Sequence, residues 1–107
     1  MSRRTVVYSR ARRDVVDQGA YLAQHSLDAT DRFVDAVDTA IAKLVEAPEL
    51  GELRVVGSTH RLEVRRWPVP GFRNRLIFYR VTSETLEVLR ILHSSQDWET
   101  ILEDSIG

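Results

Sequence analysis

Apolar side chains recur at helical spacing in the first half of the chain. The clearest stripe has members at i, i+4, i+8 and i+11, namely Phe33, Val37, Ile41 and Leu44. A second stripe of this period runs through residues 14–25, and Pro48 and Gly51 end the stronger helix. Asp28 is the expected N-cap of that helix. Only a few residues around Ser26 separate the two stripes, so they predict an antiparallel helical hairpin.

After residue 60 the apolar period changes to two, which is typical of strands. Three strands are predicted, over residues 61–67, 74–81 and 85–92, with turns at residues 68–71 and 82–84. The segment 74–81 is apolar on both faces, so we expect it at the centre of the sheet. A short strand at residues 6–8 precedes the helices. Residues 97–103 predict a last short helix, docked by Ile101 and Leu102.

These elements predict an α+β fold of order β-α-α-β-β-β, with the helical hairpin packed on one face of a small antiparallel sheet and a short C-terminal helix. A chain of 107 residues is one domain with one modest core, so residues 1–107 form a single unit.

Composition excludes several classes of protein. The chain has no cysteine, which rules out disulfide frameworks, thiolate metal sites and cysteine nucleophiles. No apolar run approaches a membrane span, and the N-terminus lacks the apolar core of a secretory signal. We therefore expect a cytoplasmic protein without a membrane contact.

The net charge of −1 conceals a strong segregation of charge. Residues 1–13 hold five arginines and no acid, whereas residues 14–52 hold nine acids against two basic residues. Residues 53–93 hold eight arginines against three acids. The planar guanidinium favours bidentate pairing with carboxylate or phosphate, so the clusters are compatible with an anionic partner. An arginine-rich genome explains the composition equally well, but it does not explain the clustering.

Signatures of enzymes and of metal or cofactor sites are missing from the sequence. The five glycines do not form a phosphate-binding loop, and the three histidines fall on different elements without the spacing of a zinc site. The helix acids Asp31, Asp35 and Asp38 are interpreted as a solvated face. We therefore expect no catalytic residue, no metal and no cofactor.

The strand arginines Arg61, Arg65, Arg75 and Arg90, with Trp67, are the best candidates for a binding surface. One face of the sheet must cover the helices, which leaves the other as an open, basic, partly aromatic surface. RNA phosphates, an acidic peptide or an acidic protein groove would suit it. The alternative is a solvated strand face whose charges prevent edge pairing.

Three segments resemble the RelE/ParE superfamily of bacterial toxins from type II toxin–antitoxin pairs. They are the end of the helical hairpin at residues 44–51, the central strand Leu76-Ile-Phe-Tyr79-Arg-Val81, and the ending Leu89-Arg-Ile-Leu-His93-Ser-Ser-Gln-Asp97-Trp98. The order of elements also matches, and the resemblance spans nearly the whole chain.

Two activities compete within that superfamily. The resemblance to the RelE-like branch implies a ribosome-dependent mRNA endonuclease, but an arginine typical of that branch is replaced by Leu76 and no tyrosine follows Tyr79. Arg75 and His93 could substitute only if the register shifts. The ParE-like branch resembles the chain more closely and implies a non-enzymatic toxin that poisons DNA gyrase and blocks replication. A third possibility is an inactive family member that only binds its antitoxin.

The resemblance also implies a partner and two groups of site residues. A ParD-like antitoxin would contact DNA and fold its C-terminal segment onto the toxin, so that the toxin meets DNA only through the antitoxin. Antitoxin binding is assigned to Arg65, Trp67 and Arg75. Toxicity and target binding are assigned to Arg90, His93, Asp97 and Trp98, although Asp97 and Trp98 could equally serve only to dock the tail.

Overall fold

The computed structural model describes residues 3–106, which form three α-helices, a single 3₁₀ turn and a five-stranded sheet. In chain order these elements are β1 (Arg4–Val7), α1 (Ser9–Ala23), α2 (Leu27–Glu46), the 3₁₀ turn Pro48–Leu50, β2 (Glu52–Val56), β3 (Leu62–Val69), β4 (Phe72–Val81), β5 (Thr85–His93) and α3 (Trp98–Ile106). The strand order is β1-β5-β4-β3-β2. The predicted α+β class, helical hairpin and C-terminal helix are confirmed, and β4 is the central strand as expected.

The structure adds one strand and corrects the direction of another. β2 was not predicted, and it pairs antiparallel with β3 at one edge of the sheet. β1 pairs parallel with β5, so that the sheet is mixed and not wholly antiparallel. A parallel neighbour is reached through a crossover connection, which α1, α2 and the three following strands provide.

The helical hairpin packs on one face of the sheet. Its turn is capped by Ser26, whose Oγ accepts a hydrogen bond from the Ala29 N–H at 3.3 Å, so that Ser26 and not Asp28 is the N-cap of α2. The helices approach closely at Gly19, where an added Cβ would lie 3.2 Å from Cγ2 of Thr30. Beneath them lies a core of buried residues that includes Phe33, Val37, Leu44, Ile77 and Val88.

The opposite face of the sheet is partly covered by α3. A second core joins Leu102 of α3 to buried side chains of four strands, Val56, Val64, Phe78, Leu89 and Leu92. Trp67 lies instead among the residues packed on the helix-side core. The expectation of an open face that includes Trp67 is therefore wrong, because the residues of α3 bury much of that face and Trp67 points to the other one.

A β-bulge in the β4–β5 pair decides which face each side chain of β5 occupies. Phe78 is opposite Arg90 and Tyr79 is opposite Val88, so that Leu89 has no direct partner. The extra residue puts Leu89 and Arg90 together on the α3 side, because Phe78 belongs to that core.

Candidate functional site

Arg75 and His93 face each other across β4 and β5, at the end of the sheet where α1 passes. Between α1 and these strand ends is an open groove of about 510 Å³. The polar residues that line it include Asp17, Gln18, Tyr21, His25, Arg75 and His93. One residue assigned to antitoxin binding and one assigned to toxicity thus share a single groove.

Gln18 fixes the position of α1 above this groove. Its side-chain amide donates to the backbone oxygen of Ile91 at 2.7 Å, while its Oε1 accepts from Nε of Arg75 at 3.2 Å. One side chain of α1 therefore contacts both strands and orients the guanidinium of Arg75. Gln18 carries no signal of this role in the sequence, because its importance depends on how α1 lies against β5.

The imidazole of His93 is oriented by the turn that follows β5. Its Nδ1 accepts the backbone N–H of Ser95 at 3.1 Å and lies 2.7 Å from the hydroxyl of that residue. A ring whose Nδ1 accepts a backbone N–H carries its proton on Nε2 when neutral. Opposite, Tyr21 and His25 form an edge-to-face pair with centroids 5.4 Å apart, and Tyr21 is 54% exposed.

A guanidinium, two imidazoles and an exposed aromatic ring in one groove suit the binding of an acidic, partly apolar segment. Arg75 can donate to a carboxylate, while Tyr21 offers apolar area at small entropic cost. The groove is open to solvent along its length, which favours an extended or helical peptide over a small enclosed ligand.

Arg65 and Trp67 lie away from this groove, on β3. Nη1 of Arg65 donates to the backbone oxygens of Gly51 at 2.8 Å and Glu49 at 3.2 Å, so that it holds the 3₁₀ turn. Nζ of Lys43 lies 5.9 Å from the ring centroid of the partly buried Trp67. The three residues assigned to the antitoxin thus divide between the groove and this region of β3.

Next to Arg65, the edge strand β2 exposes apolar side chains. Leu53 is 45% exposed and Val55 is 43% exposed, while Leu50 of the 3₁₀ turn is 39% exposed. Sequence reasoning missed this edge, although the alternation of Leu53 and Val55 with Arg54 is a strand signal.

Trp98 attaches α3 to the sheet, and Asp97 caps the first turn of that helix. The Trp98 ring stacks on Phe78 with centroids 5.3 Å apart and planes 23° apart, and the guanidinium carbon of Arg66 lies 5.4 Å from the Trp98 ring centroid. Oδ2 of Asp97 accepts from the hydroxyl of Thr100 at 2.9 Å, in the first turn of α3. Docking of the tail is therefore one role of Trp98, whereas Asp97 stabilises the start of α3. Arg66 is a further member of this site that sequence reasoning did not single out.

Arg90 is committed to contacts inside the protein. It forms an ion pair with Asp14 at 2.8 Å and donates to the Ser105 hydroxyl at 3.2 Å, and only 16% of its side chain is exposed. The hydrogen bond to the Asp14 carboxylate raises the pKa of Arg90 above its ordinary value. Arg90 therefore joins α1, β5 and α3, and its guanidinium has little surface to offer a target.

Two general properties of the described part of the chain complete the picture. No helix within residues 3–106 is both long and apolar enough to cross a bilayer. Over that same range, no group of three or more histidine or acidic side chains is arranged to hold a metal ion.

Comparison with known proteins identifies relatives over almost the whole chain. Residues 7–98 match the model of a family described as ParE toxin of type II toxin-antitoxin system, parDE. A protein of Sinorhizobium fredii (strain NBRC 101917 / NGR234), named "Putative toxin Y4kP", is 32% identical over 103 residues, which are 95% of this chain and 100% of the relative. The family match ends at Trp98, so that it includes both strands of the groove and the first residue of α3.

Proposed function

This chain belongs to the ParE family, the toxins of type II toxin–antitoxin systems, and from that membership we propose that it poisons DNA gyrase until a ParD-like antitoxin neutralises it. The observation that carries the proposal is the match over residues 7–98, which takes in every element from α1 to β5 but only the last residue of β1 and the first residue of α3. A type II toxin acts together with an antitoxin, and the finer assignments are the ParD-like nature of that partner, gyrase as the target, and a cytoplasmic location.

The contacts of the Tyr79 hydroxyl favour gyrase poisoning over RNA cleavage as the function. It donates to the Pro48 oxygen at 2.7 Å and accepts from the Gly51 N–H at 2.8 Å, and Tyr79 is fully buried. Burial raises the pKa of Tyr79 above its ordinary value, which makes the hydroxyl a poorer proton donor. The central-strand tyrosine therefore serves the fold, and Leu76 stands where the nuclease branch has an arginine.

For the antitoxin we propose two contact regions, joined by one flexible segment. A helical or extended stretch with acidic side chains would occupy the groove and pair with Arg75, while apolar anchors would cover the exposed edge beside Arg65 and Trp67. Three strand spacings separate β5 from β2, about 15 Å, which a handful of extended residues can cross.

For the target we propose the surface where β5 ends and α3 begins. His93 offers an imidazole there, and Trp98 with Arg66 offers an aromatic ring beside a cation. Arg90 contributes by holding the underlying elements together, and Asp97 by shaping the first turn of α3. Binding of this surface to gyrase would hold gyrase in the state in which its bound DNA is cleaved.

The test uses purified gyrase, relaxed plasmid, ATP and this protein, added alone and then with its antitoxin. We expect supercoiling to stop, cleaved plasmid to accumulate, and the antitoxin to reverse both effects. His93→Ala is expected to reduce cleavage, whereas His60→Ala, an exposed histidine on the β2–β3 turn, is the matched control. Full supercoiling at a toxin concentration above that of gyrase would reject gyrase as the target.

One observation favours RNA cleavage as a second candidate function. Arg75 and His93 are direct cross-strand neighbours, and His25 lines the same groove, so that a cation and two imidazoles are close together. General acid–base cleavage of RNA uses groups of these types. A translation extract separates the candidates, because a nuclease would cut mRNA in it while leaving gyrase active. If neither assay responds, the protein is an inactive family member that binds its antitoxin.

A further inference from the structure

The first residues described in the structure form a basic edge. This edge belongs neither to the surface proposed for the antitoxin nor to the surface proposed for the target. We define the arginine stripe as Arg3, Arg4, Arg10, Arg12 and Arg13. Four of these side chains are exposed, and Arg3 is partly exposed. Residues 3–13 contain no acidic residue.

The two segments of the stripe lie along one edge of the molecule. β1 pairs with the first half of β5, and Asp14 reaches Arg90 and the Ile91 N–H further along the same strand. The chain therefore continues in one direction from β1 into α1. From the rise per residue of strand and helix, Arg4 and Arg13 are about 20 Å apart along this edge.

Three acids near the stripe already form ion pairs, and one of these pairs is with a member of the stripe, Arg13. Asp14 accepts three hydrogen bonds from Arg90 and the Ile91 N–H, and its side chain is 11% exposed. Asp17 pairs with Arg13 at 3.3 Å, and Glu87 pairs with Arg80 at 2.6 Å. Among residues 3–106, Arg4, Arg10 and Arg12 have no carboxylate within ion-pair distance.

The start of α1 adds to this positive potential. Tyr8 makes no side-chain cap, and the first turn of α1 contains no acidic residue that would neutralise the positive end of the helix dipole. On another part of the hairpin, α2 exposes Asp31, Asp35 and Asp38. Opposite charges on the two helices would orient the molecule on a polyanion with the stripe towards it.

We propose that the arginine stripe is a sequence-independent binding surface for the phosphate backbone of duplex DNA. A length of about 20 Å corresponds to roughly six base pairs, at ~3.4 Å of helix axis per pair. The only aromatic residue among residues 3–13 is Tyr8, and its hydroxyl bonds Glu87 and Arg80. A surface without exposed rings cannot stack unpaired bases, which favours duplex over single-stranded DNA. The toxin then touches DNA directly, and not only through its antitoxin.

The test measures binding of the purified protein to a 30-base-pair duplex of arbitrary sequence by fluorescence anisotropy, over a series of salt concentrations. Three phosphate contacts predict a slope of about −3 for log K against log salt, and hence a loss of roughly 40-fold in affinity from 50 to 200 mM salt. Because neither gyrase nor the antitoxin is present, the outcome is independent of the proposed target.

Two triple variants with equal charge separate the stripe from net charge. Arg4→Gln, Arg10→Gln and Arg12→Gln together should reduce the slope by about 2–3 and weaken binding at 50 mM salt by at least ~10-fold. Arg32→Gln, Arg61→Gln and Arg73→Gln, all at exposed positions outside the stripe, should change affinity by less than about 3-fold. Equal losses in both variants would overturn the proposal, as would no binding of the unmodified protein at 50 mM salt.

A gain of affinity provides a test that loss of folding cannot imitate. Glu84 is exposed beside the Arg4 end of the stripe, where its backbone oxygen accepts the Arg4 N–H at 2.9 Å. Glu84→Gln should tighten binding to the duplex by about 2- to 5-fold, because it removes a negative charge that repels the phosphates. Weaker binding in this variant, or tighter binding of a 30-nucleotide single strand than of the duplex, would contradict the assignment.

Discussion

The carboxylate of Asp14 holds the guanidinium of Arg90 at two points, with Oδ2 2.8 Å from Nε and Oδ1 2.8 Å from Nη2. Oδ2 also accepts the Ile91 N–H at 2.9 Å. β1 ends at Val7, opposite Val88, so that the outer edge of β5 beyond that point has no strand beside it. Asp14 supplies the acceptor that a longer β1 would have provided, and it anchors Arg90 at the same time.

The first prediction concerns this pair. Asp14→Ala leaves a largely buried guanidinium and a backbone N–H without their acceptor, so we expect the free energy of unfolding to fall by ~3–5 kcal/mol. Asp17→Ala breaks an exposed pair of the same helix and should cost less than about 1 kcal/mol. Urea unfolding measures both values. Similar losses in the two variants would mean that the Asp14 contacts carry little stability.

The second prediction concerns the contact between Tyr79 and Gly51. Tyr79→Phe removes the hydroxyl that satisfies the Gly51 N–H and the Pro48 oxygen, and should cost ~1–3 kcal/mol. Gly51 has a φ of −69°, so a side chain there is limited by space and not by the backbone. An added Cβ would lie 2.3 Å from the Tyr79 hydroxyl oxygen. We therefore expect Gly51→Ala to destabilise more than Tyr79→Phe does.

Gly71 is the matched control for that glycine. It has a φ of +82°, and a Cβ there meets nothing within 4 Å. Gly71→Ala should cost only the strain of a left-handed residue, ~1–2 kcal/mol. If Gly71→Ala costs as much as Gly51→Ala in thermal or urea unfolding, the contact with Tyr79 does not explain why glycine is needed at position 51.

Elements with a long, regular apolar pattern could be predicted from the sequence. α2 shows a stripe over three turns, and β4 is apolar on both faces, so both were located together with the fold class. β2 was missed because its signal is only five residues long. The direction of β1 was wrong because pairing with a distant strand depends on topology, which local periodicity does not contain.

The candidate site was harder to predict for a similar reason. The β-bulge at Leu89 decides on which face of the sheet Arg90 lies, and no residue type in the sequence indicates a bulge there. Arg65 and Arg66 are adjacent and chemically identical in sequence, yet one holds the 3₁₀ turn and the other covers Trp98. Residue type identifies the strands that are basic. It does not show on which face of the sheet each arginine lies, which only the structure shows.

The third prediction is a dependence of stability on pH that comes from Glu87. Its carboxylate accepts hydrogen bonds from Arg80 at 2.6 Å and Tyr8 at 3.0 Å, and the bond from Arg80, first among several, holds the pKa of Glu87 below its ordinary 4.5. A carboxylate with a lowered folded-state pKa stabilises fully above its unfolded pKa, and this contribution is lost as pH falls through the folded value.

Unfolding midpoints in urea from pH 7 to pH 3 measure this effect. The unmodified protein should lose stability below about pH 4.5 more steeply than Glu87→Gln, which has no titrating carboxyl at that position. Glu84→Gln alters an exposed acid in the turn just before β5 and should retain the steep dependence. Parallel curves for Glu87→Gln and the unmodified protein would show that another group controls acid unfolding.

The fourth prediction tests the proposed antitoxin contacts. Arg75→Gln should weaken the complex by ~1–3 kcal/mol, because Arg75 is the groove cation that Gln18 orients. Arg73→Gln, on the same strand and exposed, should have almost no effect. Trp67→Ala should also cost ~1–3 kcal/mol of binding if the ring anchors the antitoxin. Titration calorimetry with the antitoxin measures these values, and equal affinities for Arg73→Gln and Arg75→Gln would remove the groove from the interface.

The fifth prediction separates docking of the tail from contact with the target at Trp98. Deletion of residues 96–107 cannot do this, because it removes Leu102, which is fully buried in the second core. Trp98→Phe keeps an aromatic ring against Phe78, so the fold and the antitoxin complex should be nearly unchanged, within about 1 kcal/mol. Arg66→Gln removes the cation beside the Trp98 ring and leaves the stack of Trp98 on Phe78 in place. This variant therefore tests the cation separately from the ring.

If Trp98 touches the target, Trp98→Phe should relieve growth inhibition in cells and gyrase-dependent cleavage in vitro by at least ~10-fold, because aromatic anchors carry much of the energy of an interface. The loss must occur with unchanged unfolding in urea, which excludes detachment of α3. Toxicity that persists in Trp98→Phe and declines only in Trp98→Ala, in parallel with stability, would assign Trp98 to docking alone. The target surface would then centre on His93, which lines the open groove beside α1.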